Sequence, residues 1–116
     1  MSKKVVVVGA GFAGCGAAAA AARGGADVTL VEKTDTLTGM GQIAGSYRRG
    51  ASVPGEVELA ALGAGDMLEA LDSVATFSRF ENLKLGDPRL LTLYDTRKIS
   101  KAVEEILQGL GVKVIY

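Results

Sequence analysis

The side chains that enzymes use most often for acid–base and metal chemistry are scarce in this sequence. The 116-residue chain has no histidine and a single cysteine, Cys15. Without histidine it lacks the commonest general base and the commonest metal ligand. One cysteine cannot form a disulfide within the chain, which fits a reducing cytoplasm. We therefore expect a cytoplasmic protein without a metal site, in which Cys15 packs as a small core residue.

The sequence also lacks an excess of charge of either sign. Lysine plus arginine and aspartate plus glutamate each number 13, so the formal net charge at neutral pH is zero. This balance gives no electrostatic footprint for nucleic acid and no polybasic patch for a membrane surface. Apolar residues make up 48% of the chain. The length and composition therefore suit one small domain with its own core.

Against these absences stands a glycine-rich motif. Residues 5–14 read Val-Val-Val-Val-Gly-Ala-Gly-Phe-Ala-Gly, and an alanine-rich stretch follows. The valines predict a short, fully buried parallel strand, and the alanines predict a helix from Ala13 to about Gly24. Gly9 would allow the tight turn, Gly11 the close approach of a pyrophosphate, and Gly14 the close packing of helix on strand. The N–H groups at the helix start would then face phosphates.

An acidic residue completes the pattern of a dinucleotide-binding βαβ unit. A second predicted strand, residues 27–32, ends in Glu32, eighteen residues beyond Gly14. A carboxylate at this place accepts hydrogen bonds from the adenosine ribose. It would repel the 2′-phosphate of NADP, so the pattern favours FAD or NAD and does not choose between them.

The same N-terminal run has two rival interpretations, a secretory signal peptide and a transmembrane span. Two lysines precede the apolar stretch, and small residues at 20–22 resemble a cleavage site. Four glycines between residues 9 and 16 oppose the apolar helix that a signal peptide requires. Arg23 comes too early for a span across a bilayer. The dinucleotide interpretation is therefore preferred.

Beyond Glu32 the sequence predicts an excursion before the sheet resumes. Residues 33–55 read as an extended glycine-rich loop, 56–74 as an interrupted helix, and 75–94 as short strands or coil. In the loop, the segment Tyr47-Arg-Arg49 offers guanidinium groups for a carboxylate or phosphate, or else forms a solvated basic turn. The excursion, over residues 34–94, is predicted to form a loop or cap.

The C-terminal part predicts one more helix and strand. The helix is expected from Thr96 to about Gln108, with Asp95 or Thr96 as its N-cap. Its apolar stripe at helical spacing is Ile99, Val103, Ile106, Leu107 and Leu110. A third strand over 112–116 follows. The fold class is therefore α/β: a Rossmann-like βαβ unit with a parallel sheet of at least three strands, forming one dinucleotide-binding domain over 1–116 that is expected to be incomplete.

These motifs together resemble the N-terminus of FAD-dependent oxidoreductases of the glutathione-reductase structural type, with a fumarate-reductase-like or thiazole-synthase-like opening. The likeness covers the glycine motif, Ala-Asp-Val-Thr-Leu-Val-Glu-Lys at 26–33, Thr-Gly-Met-Gly at 38–41, and the helix and strand at 94–114. The resemblance implies FAD as the cofactor, with NAD as the alternative. The cofactor-binding residues that it implies are Gly9, Ala10, Gly11, Phe12, Ala13, Gly14, Glu32, Lys33, Gly39, Met40 and Gly41. It assigns no catalytic residue.

The resemblance also bears on what the chain does. It implies the FAD-binding portion or subunit of a flavin-dependent oxidoreductase, which holds the ADP moiety and needs further polypeptide for catalysis. The alternative is a non-catalytic regulatory subunit that binds NAD or FAD. Because members of this group run to several hundred residues, the chain is a fragment, one subunit of a split enzyme or a stand-alone module. The expected partner is the remaining polypeptide, another subunit or a second copy, and neither nucleic acid nor a membrane.

Overall fold

A computed structural model describes residues 2–39, 46–49, 61, 63, 65–77 and 92–116. In chain order the elements within these residues are β1 (Lys4–Val8), α1 (Phe12–Arg23), β2 (Asp27–Val31), β3 (Ser46–Arg49), α2 (Gly65–Ser73), β4 (Ala75–Phe77), β5 (Thr92–Asp95), α3 (Ile99–Gly109) and β6 (Lys113–Ile115).

A parallel sheet of three strands forms the centre of the fold, in the order β1-β2-β6. Val7 pairs with Leu30, and Leu30 pairs in turn with Val114. Because side chains alternate along a strand, these three lie on one face of the sheet. Helices α1 and α3 cover that face. The predicted α/β fold with a Rossmann-like parallel sheet is confirmed.

The prediction that β1 is fully buried is wrong. Val5 and Val7 pack against the core, whereas Val6 is 65% exposed and Val8 is 82% exposed. The exposed pair points to the face opposite the two helices, and β1 lies at one end of the strand order. A run of four valines has no alternation to reveal this difference, so the sequence pattern of a strand buried on both faces was misleading.

Helix α1 lies very close to the sheet because its residues are small. Ala18 and Ala19 are fully buried, and α1 begins at Phe12, one residue before the predicted start. A Cβ added to Gly14 would overlap the carbonyl oxygen of Gly9 and lie 2.9 Å from its carbonyl carbon. The close helix–strand packing that the sequence predicts at Gly14 is therefore present.

Helix α3 has the predicted apolar stripe and a different start. Ile99, Val103 and Leu107 are buried. The helix begins at Ile99 and its N-cap position is Lys98, which makes no side-chain capping bond, so the predicted cap by Asp95 or Thr96 is wrong. The carboxylate of Asp95 instead accepts hydrogen bonds from the backbone N–H of Arg97 at 2.9 Å and from its guanidinium at 3.1 Å.

The described part of the excursion contains a second sheet. Strands β3, β5 and β4 form an antiparallel sheet in that order, with Tyr47 opposite Tyr94. β3 lies inside the segment that the sequence predicts as loop. β4 and β5 show strand at the two ends of the segment that it left as strand or coil, and residues 78–91 lie outside the described residues. Residues 46–49 carry no apolar alternation, so their pairing depends on a partner strand far along the chain.

Helix α2 fastens the excursion to the core. Met67, Ala70 and Leu71 join the hydrophobic cluster under α1 and α3. At the end of α1, the guanidinium of Arg23 donates to both carboxylate oxygens of Asp66, each at 2.6 Å. Asp66 is only 6% exposed, so this bidentate pair fixes where α2 begins. Among the described residues, no helix combines the length and apolarity that crossing a bilayer requires.

Candidate functional site

The loop between β1 and α1 is held in place by the neighbouring strand. Gly9 has φ +97°, a conformation that side chains rarely adopt, and its N–H donates to the carbonyl of Val31 at 2.8 Å. The amide of Ala10 donates to a carboxylate oxygen of the next residue along, Glu32, at 3.1 Å. The turn is therefore attached to the end of β2 by two backbone donors.

No described residue fills the mouth of this loop at Gly11. A Cβ added to Gly11 would meet no described atom within 4 Å. Gly11 is the N-cap of α1, no side chain caps the helix there, and the first turn contains no acidic residue. The helix start thus presents backbone N–H groups and a partial positive charge to the open space. An anionic group such as a phosphate fits this arrangement.

The carboxylate of Glu32 lies beside the loop. Its Oε1 accepts from the amide of Ala10, and its Oε2 accepts from the N–H of Thr34 at 2.8 Å and from the Thr34 hydroxyl at 2.6 Å. The backbone N–H of Glu32 donates to the carbonyl of Ile115 at 2.8 Å, which ties the residue to β6. The acid at the end of β2 and the glycine loop therefore form one continuous surface.

These donors keep Glu32 ionised. The side-chain hydrogen bond from Thr34 lowers its pKa most, followed by the amides of Ala10 and Thr34, and the pKa falls to about 2. The charge of Lys33 acts in the same direction. Glu32 is thus an acceptor only, at any physiological pH, and suits a ligand that offers hydroxyl donors.

Thr38 and Gly39 form the far wall of the loop. The N–H of Thr38 donates to the carbonyl of Ala10 at 2.7 Å, and the backbones of Thr38 and Gly11 form an isolated parallel β-bridge. Thr38 has φ +71°, which is unusual for a β-branched residue, and it is buried. Its hydroxyl oxygen has no hydrogen-bond partner within the described part of the chain. Strain and an unpaired polar atom cluster at binding sites.

Cys15 sits behind this surface rather than in it. Its side chain is fully buried, and its thiol donates to the carbonyl of Ala10 at 3.4 Å. Burial raises the pKa of the thiol to about 11, although a backbone hydrogen bond with Thr38 opposes the shift. The predicted packing role of Cys15 agrees with this environment, which does not activate a thiol.

The structure brings together most of the residues that the sequence singled out. Ala10 is buried in the turn, and the ring of Phe12 makes an edge-to-face contact with Tyr94, with centroids 6.3 Å apart. Ala13 and Lys33 are exposed beside the loop. Gly39 lies against Gly11, since a Cβ added there would be 3.8 Å from the Gly11 Cα.

Other predicted positions fall elsewhere. Met40 and Gly41 lie outside the described residues. The segment 47–49 belongs to β3, and its side chains are also outside the description. Two residues at the site were missed by the sequence reasoning, Thr34 and Thr38. No sequence signal marks a threonine with positive φ, whereas a hydroxyl two residues after the acid is a pattern that local hydrogen bonding favours.

Residues 4–115 match the protein family described as Glucose inhibited division protein A. A curated relative is the tRNA uridine 5-carboxymethylaminomethyl modification enzyme MnmG of Chlorobium phaeovibrioides, which is 37% identical over 84 residues. The match covers 71% of this chain and 13% of the relative. The chain therefore spans a small part of the length of the curated protein that it matches.

Solved structures share the fold. THI4 of Thermovibrio ammonificans superposes with a TM-score of 0.61 at 16% identity, over 98% of this chain and 38% of that protein. A 2-methyl-3-hydroxypyridine-5-carboxylic acid oxygenase gives a TM-score of 0.63 at 23% identity, over 98% and 31%. The p-nitrophenol 4-monooxygenase PnpA of Pseudomonas putida gives 0.56 at 19% identity, over 97% and 31%. At these identities the likeness supports the fold.

Proposed function

The chain belongs to the Glucose inhibited division protein A family as an FAD-binding, Rossmann-type part of it, and on this premise we propose that its glycine loop and Glu32 hold the ADP half of FAD. Residues 9–14 would receive the pyrophosphate and Glu32 the adenosine ribose. Lys33 would lie along the adenine side, and the segment Gly39-Met-Gly41 would pass near the pyrophosphate and ribityl chain.

One observation supports this proposal above the others: the amide of Ala10 donates to Glu32 at 3.1 Å. A pyrophosphate and the ribose attached to it need donors and an acceptor a few ångströms apart. The hydrogen bond shows that the loop and the acid are neighbours in space although 22 residues separate them in sequence. The open space at Gly11 and the uncapped start of α1 fit the phosphates.

The residues of this chain would bind and orient, and the redox chemistry would be supplied by the flavin once it is bound. The N–H groups at the start of α1 would neutralise phosphate charge. Glu32 would fix the sugar through hydroxyl donors. Catalysis by such a domain requires further polypeptide around the flavin ring, which we propose as the partner of these 116 residues.

The name of the curated relative gives the activity that we propose for the complete protein, modification of a tRNA uridine. This differs from the sequence expectation that nucleic acid is not a partner. The zero net charge of the chain argues that tRNA contacts belong to other polypeptide. A cytoplasmic location is proposed with it, on the single, buried thiol.

Calorimetric titration of the purified chain with ADP, FAD, FMN and NAD tests the proposal. ADP and FAD are expected to bind, and FMN is not, because FMN lacks the adenosine half. Gly11→Val should abolish binding of both adenine ligands, since its side chain would fill the pyrophosphate space. Gly109→Ala is the control. A Cβ at Gly109 also meets no described atom, and Gly109 is the last residue of α3 rather than part of the glycine loop.

Three results would count against the proposal. They are binding of FMN as tight as that of FAD, unchanged ADP binding by Gly11→Val, and loss of binding in the Gly109→Ala control. Binding of NAD in place of FAD would keep the site and transfer it to the alternative cofactor.

A further inference from the structure

Glu32 is the hydrogen-bond acceptor of the proposed site, yet donors from the same chain already occupy most of its carboxylate lone pairs. An ionised carboxylate has about four lone-pair positions on its two oxygens. Three hydrogen bonds from Ala10 and Thr34 use three of them: one on Oε1 and two on Oε2. Within the described part of the chain, one position, on Oε1, is left for a ligand.

Thr34 is responsible for two of these three bonds. Its N–H and its hydroxyl both donate to Oε2, at 2.8 Å and 2.6 Å. The hydroxyl oxygen also lies 3.0 Å from the carbonyl of Thr36, which competes for the same hydrogen. The carboxylate has the shorter contact and a full charge, and a charge-assisted hydrogen bond is the stronger of the two. The hydrogen therefore goes to Glu32.

We propose that Thr34 is a positioning residue for the cofactor: it closes Oε2 of Glu32 and turns Oε1, beside the glycine loop, towards a single ribose hydroxyl. This inference rests on the proposed function and adds a residue to it. Without the Thr34 hydroxyl, only the backbone N–H groups of Ala10 and Thr34 hold the carboxylate of Glu32. Its last torsion, which is broad for this side chain, is then less restricted, and the acceptor is less firmly fixed relative to the amide of Ala10.

Of the groups around Glu32, the Thr34 side chain has the largest effect on its carboxylate. Lys33 is adjacent, and Asp35 follows on the same exposed segment. The Cys15 thiol faces the loop from α1 and is neutral, because burial raises its pKa to about 11. The phenol of Tyr116, after β6, is also neutral, because partial desolvation and a hydrogen bond to Glu104 raise its pKa to about 12. The side-chain bond of Thr34 is the largest cause of the low pKa of Glu32.

The test compares Thr34→Val, which keeps shape and the backbone N–H, with Thr34→Ser, which keeps the hydroxyl. Thr34 is exposed, so both variants are expected to fold. In a titration followed by NMR of carboxyl-labelled glutamate, Thr34→Val should move the Glu32 midpoint from about 2 towards its ordinary 4.5, and Thr34→Ser should leave it low. In ADP titrations, Thr34→Val should weaken binding about threefold to tenfold, and Thr34→Ser should restore it.

Deoxy analogues test the single free position. If one lone pair remains, either 2′-deoxy-ADP or 3′-deoxy-ADP should lose affinity while the other binds like ADP. Equal losses with both analogues would overturn the single-hydroxyl part of the inference. An ADP affinity that is unchanged in Thr34→Val would overturn the role of Thr34, whether or not the Glu32 midpoint moves.

Glu32→Gln separates this failure from failure of the proposed function. If Glu32→Gln weakens ADP binding and Thr34→Val does not, the ribose acceptor stands and the positioning role falls. If both variants bind ADP as the unaltered chain does, Glu32 does not hold the ribose, and the proposed function fails at that residue.

Discussion

Gly14 is the position where the contact between α1 and β1 can be measured most directly. In Gly14→Ala the new Cβ would overlap the carbonyl oxygen of Gly9, lie 2.9 Å from the carbonyl carbon and lie 3.7 Å from Cγ1 of Val7. The first two obstacles are backbone, and Gly9 is itself held by its hydrogen bond to Val31. No side-chain rotation relieves the overlap, so the helix must move away from the strand.

The size of the effect follows from a comparison with Gly16 in the same helix. A Cβ at Gly16 would lie 3.6 Å from Cγ of Met67, which is ordinary van der Waals contact. Both substitutions gain helix propensity of about 0.5–1 kcal/mol, and this gain cancels between them. Overpacking against a rigid neighbour costs about 3 kcal/mol, the upper part of the usual range. We therefore expect Gly14→Ala to be about 3 kcal/mol less stable than Gly16→Ala.

Urea denaturation followed by circular dichroism measures this difference. Typical domains have 5–15 kcal/mol of stability, so a loss of this size shifts the midpoint clearly. Gly16→Ala should unfold at or above the urea concentration of the unaltered chain. If the two variants unfold at the same urea concentration, with the same slope, the close packing at Gly14 is not what makes glycine necessary there.

Two further predictions concern Cys15 and Glu32. Cys15 should resist a thiol reagent at pH 8 in the folded chain and react fully in urea, because its thiol is buried and has a pKa of about 11. Labelling of the folded chain as fast as of the unfolded chain would contradict the packing role of Cys15. For Glu32, the folded pKa of about 2 lies below the ordinary 4.5, so its contribution to stability is present above pH 4.5 and disappears as the pH falls towards 2. Glu32→Gln should therefore lose less stability than the unaltered chain between pH 4.5 and 2. The contribution of Asp95, whose pKa Arg97 lowers, is the same in the variant and in the unaltered chain. Urea midpoints of the two proteins that fall in parallel over this range would refute the pKa shift of Glu32.

The sequence by itself determined the βαβ unit and the outline of the candidate site. Gly9 and Gly14 are required by local sterics, which act within a few residues and can be read from spacing. The apolar stripe of α3 follows from helical periodicity in the same way. The place of Glu32 at the end of β2 follows from strand length, and a right-handed crossover brings it near the loop.

The tertiary structure alone decided how these parts meet. The exposed face of β1 depends on which side the helices cover, and four consecutive valines read the same from either side. β3 pairs with β5 across a long stretch of chain, so no local pattern marks it. Arg97 draws Asp95 away from capping α3, because a side-chain partner competes with the helix start. The hydrogen bonds from Thr34 and Ala10 to Glu32, which set the direction of the acceptor, form only once the loop, β2 and the following turn lie side by side.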